Sequence, residues 1–250
     1  MVFASGYIKR VDDIFLTLEY TNEGSALMKK QKPNDNWEIK DYKLYGEYGL
    51  FKNLTIGGFV KKYSFLHKLY FARSEIQDDF YGNIFFASNL FEMKEVFFYY
   101  KSGYYFPIEY DDFWSKILNN IETKKSFDTT ISMFKEGKVE NYNWYIDGGL
   151  AYKFIQNGYR DEFKKHITIA IGERENENFG VSYEEKKYIG GDNVYCSPDG
   201  QKICYHYDNS TMYKFFANVK FDDKVGCGFS IYKKYSLSNS TGISFNVFFN

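Results

Sequence analysis

Tyr213-Lys214-Phe215-Phe216-Ala217-Asn218-Val219-Lys220-Phe221, then Val225-Gly226-Cys227-Gly228-Phe229-Ser230-Ile231-Tyr232, then Ile243-Ser244-Phe245-Asn246-Val247-Phe248-Phe249 is the stretch that decides the fold. Every second position from Tyr213, Val225 and Ile243 is apolar or aromatic, and none of them is charged. The positions between carry Lys214, Asn218, Lys220, Gly226, Gly228, Ser230, Ser244 and Asn246, with Phe216, Tyr232 and Phe248 as aromatic exceptions. A period of two means strands with one greasy and one mostly polar face. Segments of about ten residues with that alternation suit a barrel whose tilted strands cross lipid.

The same rhythm runs back through the chain. Leu16, Leu18 and Tyr20 alternate with Thr17 and Glu19, and Ile167, Ile169 and Ile171 with His166, Thr168 and Ala170. Trp144, Ile146, Gly148, Leu150, Tyr152 and Phe154 alternate with Tyr145, Asp147, Gly149 and Lys153. Twelve strands are expected, near 12–22, 37–50, 54–66, 82–92, 94–106, 126–136, 140–155, 163–173, 178–188, 211–222, 224–236 and 240–249. Tight turns are expected at Phe51-Lys52-Asn53, Met93, Gly137-Lys138-Val139, Arg174 to Glu177 and Asp223. Longer connections fall between them, at 23–36, 67–81, 107–125, 156–162, 189–210 and 237–239. Strict alternation of short and long connections is what an up-and-down barrel with short periplasmic turns and longer extracellular loops requires. The strands at 82–106 are apolar on both faces at Phe85-Phe86 and Phe97-Phe98-Tyr99-Tyr100, which means either an aromatic-packed lumen or an aromatic girdle.

Composition agrees. Of 250 residues, 25 are Tyr and 26 are Phe, far more than catalysis needs, and only 3 are Pro. Mean hydropathy of −0.50 excludes a bundle of membrane helices, whereas a barrel escapes that test because its lumen residues dilute the average. A net charge of −1 gives no reason to expect a nucleic-acid partner. Val2-Phe3-Ala4 before Ser5-Gly6 has the small-residue form of a signal-peptidase site, so 1–10 reads as a remnant after cleavage and 1–250 as a single barrel domain.

Tyr45-Gly46-Glu47-Tyr48-Gly49-Leu50-Phe51-Lys52-Asn53-Leu54-Thr55-Ile56-Gly57-Gly58 reads as strand, turn and strand, with Tyr rings expected to lie over Gly46 and Gly49. This hairpin resembles the EYGLTDRLTLG pattern of XagA-like and related proteobacterial outer-membrane β-barrel proteins. The resemblance implies a bacterial outer-membrane location. Gly242 to Phe249 is similar to the C-terminal signal read by the barrel-assembly machinery, with Asn250 following the aromatic that usually ends it.

Charges on a lipid face cost on the order of 2–4 kcal/mol at the midplane, so charges mark lumen or loops. The expected lumen set is Glu19, Lys43, Tyr45, Glu47, Lys101, Asp147, Lys153, Glu184, Lys214, Lys220 and Lys234. Its six lysines and four carboxylates tilt an open pore slightly toward anions. Cys196 and Cys204 in the longest loop suit a disulfide in an oxidising envelope, and Cys227 behaves as a small hydrophobe on the lipid face. His67 and His206 fall in outer loops and His166 near a strand mouth, with no zinc-type spacing, so neither metal nor cofactor is expected. Neither a lipase pairing of Ser and His nor a protease rim built from Asp78-Asp79, Asp111-Asp112 and His67 is demanded by spacing, so no enzyme is expected. Phe113, Trp114, Ile117 and Leu118 fit a short amphipathic helix within 107–125 that either binds a partner or folds into the pore.

These observations point to a small porin-like channel for polar solutes, held in outer-membrane lipid. Two other readings stand beside it: a closed barrel whose outer loops bind a host or envelope partner, and a soluble barrel with an apolar ligand inside.

Overall fold

The computed structural model describes residues 9–24, 37–67, 75–109, 125–156, 161–173, 177–189, 194–196, 204–206, 209–222, 224–236 and 239–249. Twelve antiparallel strands close into one barrel. They are β1 (Ile14–Gly24), β2 (Trp37–Phe51), β3 (Leu54–His67), β4 (Glu75–Met93), β5 (Val96–Glu109), β6 (Ser126–Val139), β7 (Tyr142–Ile155), β8 (Glu162–Glu173) and β9 (Glu177–Tyr188), then β12 (Ser210–Lys220), β13 (Val225–Tyr235) and β14 (Ser240–Phe249). Each strand pairs with its sequence neighbour, β9 with β12, and β14 closes on β1. Between β9 and β12 a small separate hairpin forms from β10 (Val194–Cys196) and β11 (Cys204–His206), a feature alternation did not reveal.

The faces sort as a membrane barrel's must. Among the described residues the exposed large hydrophobics include Leu16, Leu18, Leu44, Ile84, Ile131, Leu150, Ile167, Ile169, Phe215 and Phe245. The buried polar side chains include Thr55, Asn83, Ser102, Ser126, Ser132, Asp147, Ser230 and Ser244. This inverts the distribution of a water-soluble domain, because the outer face meets hydrocarbon and each inward polar group meets another polar group. The hydroxyls of Ser230 and Ser244 lie 2.6 Å apart, and Ser102 donates to the Asp128 carbonyl at 3.0 Å. Outward aromatics collect near both ends of the strands: Tyr183, Tyr213 and Tyr235 form an edge-on ladder at the long-loop end. Phe91 and Phe98 stack at 4.5 Å at the tight-turn end.

The strands are tilted. The pairing row that starts at Phe15 near the turn end of β1 runs through Glu47, Gly57, Phe85, Gly103, Asp128 and Lys153 to Glu162 at the loop end of β8. Tilt of this kind is what lets a sheet close on itself.

Several local expectations are corrected. β4 starts at Glu75, so the connection after β3 covers only 68–74, and Asp78-Asp79 pair with Ser64 and Tyr63 in the sheet. Adjacent aspartates read as loop, yet the ladder to β3 overrides that propensity. The β4–β5 turn is Lys94-Glu95, not Met93; φ values of 49° and 64° make it the twisted two-residue type that suits a hairpin. The β6–β7 turn is Glu140-Asn141 (φ 55° at Glu140), and Gly137 lies within β6 under the Trp144 ring. Rings do cover strand glycines, but at Gly57, Gly137, Gly180, Gly226 and Gly242. Gly46 instead faces Leu16, and a Cβ at Gly49 would overlap the Arg10 carbonyl, because residues 9–13 fold against the turn end of the barrel. Asp12 donates its amide to the Gly49 carbonyl at 2.9 Å, and the Lys9 amide reaches Thr55 Oγ1 at 2.9 Å. Lys9 and Arg10 are therefore tied to the barrel, while 1–8 lie outside the described residues.

Candidate functional site in the barrel lumen

The bore holds a packed aromatic patch and a charged cavity beside it. At the turn end, Tyr99, Phe134, Tyr145 and Ala170 form a buried cluster with Phe97 and Phe216 packed on it. Phe134 and Tyr145 stand 5.9 Å apart, and Phe15 packs near Phe248 at 6.5 Å. The doubled aromatics of 82–106 thus supply a packed lumen: Phe85 and Tyr99 point in, and Phe86 points out.

Beside and above this patch lies a cavity of about 720 Å³, which Tyr99, Tyr145 and Phe216 help to line. It is lined by seven lysines (Lys9, Lys43, Lys61, Lys101, Lys153, Lys164, Lys214) and seven carboxylates (Glu19, Asp41, Glu47, Asp128, Asp147, Glu162, Glu184). That balance removes the count-based anion tilt. Of the expected lumen residues, Glu19, Lys43, Tyr45, Glu47, Lys101, Asp147, Lys153, Glu184 and Lys214 line the cavity. The other two lie beyond it: Lys220 is opposite Gly226 at the turn end, and Lys234 is 3.9 Å from Glu23 at the loop end.

Ion pairs run around the cavity wall. Lys61 meets Asp41 at 2.7 Å, Lys164 meets Glu184 at 2.9 Å, Lys186 meets Glu162 at 3.8 Å and Lys43 meets Glu19 at 3.9 Å. Other carboxylates are held by phenols. Tyr99 donates to Asp147 at 2.7 Å, Tyr105 to Asp128 at 3.2 Å, and Tyr45 to Glu47. Lysines in turn lie over rings, Lys101 at 3.6 Å from the Phe85 centroid and Lys153 at 4.3 Å from that of Tyr105.

His166 is not at a strand mouth. It stands inside the bore between Gly149 and Glu184, with Nε2 3.5 Å from Asp147 Oδ2. The bare Gly149 lets Ser132 Oγ and the His166 ring approach one patch of wall. Asp41, Lys61, Asp128, Glu162, Lys164 and His166 were absent from the expected set, although alternation alone would have found them. Lys61 is opposite Lys43 in the ladder, and Lys164 is two residues from His166 on one face.

Among the described residues no group of three His, Cys, Asp or Glu is placed to hold a metal. Cys227 is unbonded. Cys196 is paired with Cys204 in register, while their side chains lie outside what the structure describes, as do Trp114 and the rest of 110–124. His67 ends β3 and His206 ends β11.

No protein-family model matches the chain, and no curated protein does. Its fold is nonetheless shared with solved outer-membrane barrels. An outer membrane channel from Pseudomonas putida F1 superposes over 100% of this chain and 99% of its own, at 9% identity and a TM-score of 0.63. The translocator domain of the autotransporter NalP from Neisseria meningitidis covers 95% and 88% at 8% identity and 0.53. The KdgM porin covers 94% and 98% at 6% identity and 0.52. The chain has the closed, antiparallel β-barrel fold of these outer-membrane proteins.

Proposed function

We propose that the protein is a passive channel of the bacterial outer membrane for small polar solutes, with its turns in the periplasm and its long loops outside. The observation that carries this reading is the charged cavity, whose lining runs from Lys9 and Phe15 near the turn end to Asp41 and Glu162 near the loop end. A barrel with only a structural task gains little from so many buried charges, since each must be desolvated and paired. The kinship of fold with a channel and a porin supports the same reading. In this proposal the chain is no enzyme, binds no nucleic acid, contacts outer-membrane lipid through its outward face and enters it through the barrel-assembly machinery. The likeness of 45–58 to XagA-like barrels belongs to the same proposal.

The test is single-channel conductance in a planar bilayer, with folding monitored by heat-dependent gel mobility. Steady openings that survive deletion of 110–124 support the channel. Folded protein without conductance overturns it. It then favours the closed barrel with partner-binding loops, a reading that the aromatic patch of Tyr99, Phe134 and Tyr145 supports. A Cys196–Cys204 disulfide is part of this proposal, motivated by their direct pairing; a two-dalton mass difference on reduction, lost in Cys204→Ser, is the expected result.

A further inference from the structure

Residues 9–13 precede β1, and they turn back into the barrel at its turn-end mouth. Asp13 extends the β1–β2 ladder by accepting the Gly49 amide at 3.0 Å, and Asp12 donates to the Gly49 carbonyl at 2.9 Å. There the chain reverses. Asp13 donates its amide to the Arg10 carbonyl at 3.1 Å, and Asp12 takes a φ of 66°. Aspartate enters this left-handed region more readily than most residues, and one such residue lets a chain double back within a turn.

Gly49 fixes the side to which it doubles back. Along β2, Lys43, Tyr45 and Glu47 line the cavity, so the strand period turns Gly49 toward the bore as well. A Cβ on Gly49 would lie 1.7 Å from the Arg10 carbonyl oxygen and 2.6 Å from the carbonyl carbon. The Arg10 peptide therefore rests on the inner wall, in space that any other side chain at 49 would fill. Lys9 reaches further in. Its amide donates to Oγ1 of the buried Thr55 on β3 at 2.9 Å. Its ammonium lies 4.3 Å from the Phe15 ring centroid and 3.9 Å from Glu47 Oε2. One short segment thus touches the inner wall of β1, β2 and β3. Tyr48, on the outer face of β2, fastens it at the rim by donating to Asp12 Oδ1 at 2.6 Å.

These contacts are a few hydrogen bonds and one long ion pair, the kind of local structure that opens at far lower cost than a whole barrel. Opening them leaves the β1–β2 ladder from Ile14 to Gly24 intact. We propose that residues 9–13 form a latch inside the turn-end mouth, which narrows the bore while docked and widens it on lifting off Gly49 and Thr55. Its docking needs no channel; its control of flow rests on the channel proposed above.

The test compares the full-length barrel with Gly49→Ala, Thr55→Val and Gly46→Ala, each folded in detergent and checked by heat-dependent gel mobility. The atoms nearest a methyl at Gly49 all belong to Arg10 and Lys9, so Gly49→Ala displaces the latch and little else. Thr55→Val keeps the volume and removes the acceptor of the Lys9 amide. Gly46→Ala is the control on the outer face of β2, where the tip of Leu16 gives way. Two quantities are read: the rate of trypsin cleavage after Lys9 and Arg10, by mass spectrometry, and single-channel conductance. Cleavage should be about tenfold faster in Gly49→Ala and about threefold faster in Thr55→Val, the range that loss of a hydrogen bond spans. It should be unchanged in Gly46→Ala, and conductance should rise in the same order. Cleavage that neither Gly49→Ala nor Thr55→Val accelerates overturns the latch. Faster cleavage with wild-type conductance overturns its control of flow and leaves the channel standing. Faster cleavage with no conductance in any of the proteins supports the docking and overturns the channel, and with it the control of flow.

Discussion

Phe134 and Lys164 point into the same bore, and their surroundings have almost nothing in common. Phe134, on β6 toward the turn end, is only 2% exposed and packs with Tyr99, Tyr145 and Ala170. Lys164, on β8 toward the loop end, is paired with Glu184 at 2.9 Å, and both side chains are about one-third open to water. One part of the lumen wall is packed like the core of a soluble domain, and another is a wetted lattice of opposite charges. The difference teaches that a barrel of this width is neither wholly plugged nor wholly open. Apolar packing holds one part of the wall rigid, which leaves the rest free to carry charge.

The largest test of that contrast is Phe134→Ala. Loss of a buried aromatic should cost about 3–5 kcal/mol, read by urea unfolding of the detergent-folded barrel, and it should raise conductance by thinning the patch. A cost below about 1 kcal/mol would mean that the patch is not packed. Next comes the distinction between inside and outside on which the contrast depends. Ile169→Lys places a charge on the outward face of β8 and should cost about 2–4 kcal/mol in folding into lipid. Thr168→Lys, one residue away but facing the cavity, should cost markedly less. Equal costs would contradict the assignment of faces. Lys164→Gln should be milder still, at most about 1 kcal/mol, because a half-wet pair gains little over hydration. If it matched Phe134→Ala, the two parts of the wall would not differ in the way described.

The smallest effect lies outside the bore, in the β12–β13 turn. Asp222 Oδ1 accepts the amides of Lys224 at 2.7 Å and Val225 at 2.8 Å, and these bonds hold its carboxyl below the usual range. A pKa lowered by folding contributes stability that is full above the unfolded value and fades as pH falls through the folded one. The protection of the Val225 amide, taken relative to the intrinsic exchange rate at each pH, should therefore fall only in acid, below about pH 4. In Asp222→Asn that acid dependence should vanish, and its persistence would locate the titrating group elsewhere.

Much of this molecule was legible in the residue order. Alternation at Tyr213–Phe221, Val225–Ile231 and Ile243–Phe249 specified strands, faces and closure, because hydrocarbon on one side and a polar bore on the other enforce a period of two. For the same reason it located part of the lumen set, among them Lys43, Lys101, Lys214, Glu19 and Glu184, while Asp41, Lys61, Asp128, Glu162 and Lys164 lie on the same inward face but outside the expected set. Turn positions were less legible. Gly137 reads as a turn residue until Trp144 is seen lying on it, and Asp78-Asp79 read as loop until β3 is seen pairing with them.

What alternation cannot express is distance across the bore. Lys43 and Lys214 belong to strands separated by β1, β14 and β13, and that both line one cavity depends on the tilt and curvature of the whole sheet. The same holds for Tyr99 and Asp147, 48 positions apart in the chain and joined by a hydrogen bond of 2.7 Å. The sequence by itself determined that a barrel forms and which side chains face inward, since each choice is made locally by the medium that residue meets. Only the closed tertiary structure decided which inward charges are paired, which are held by phenols and which rest over rings, since that depends on where distant strands stand when the circle is complete.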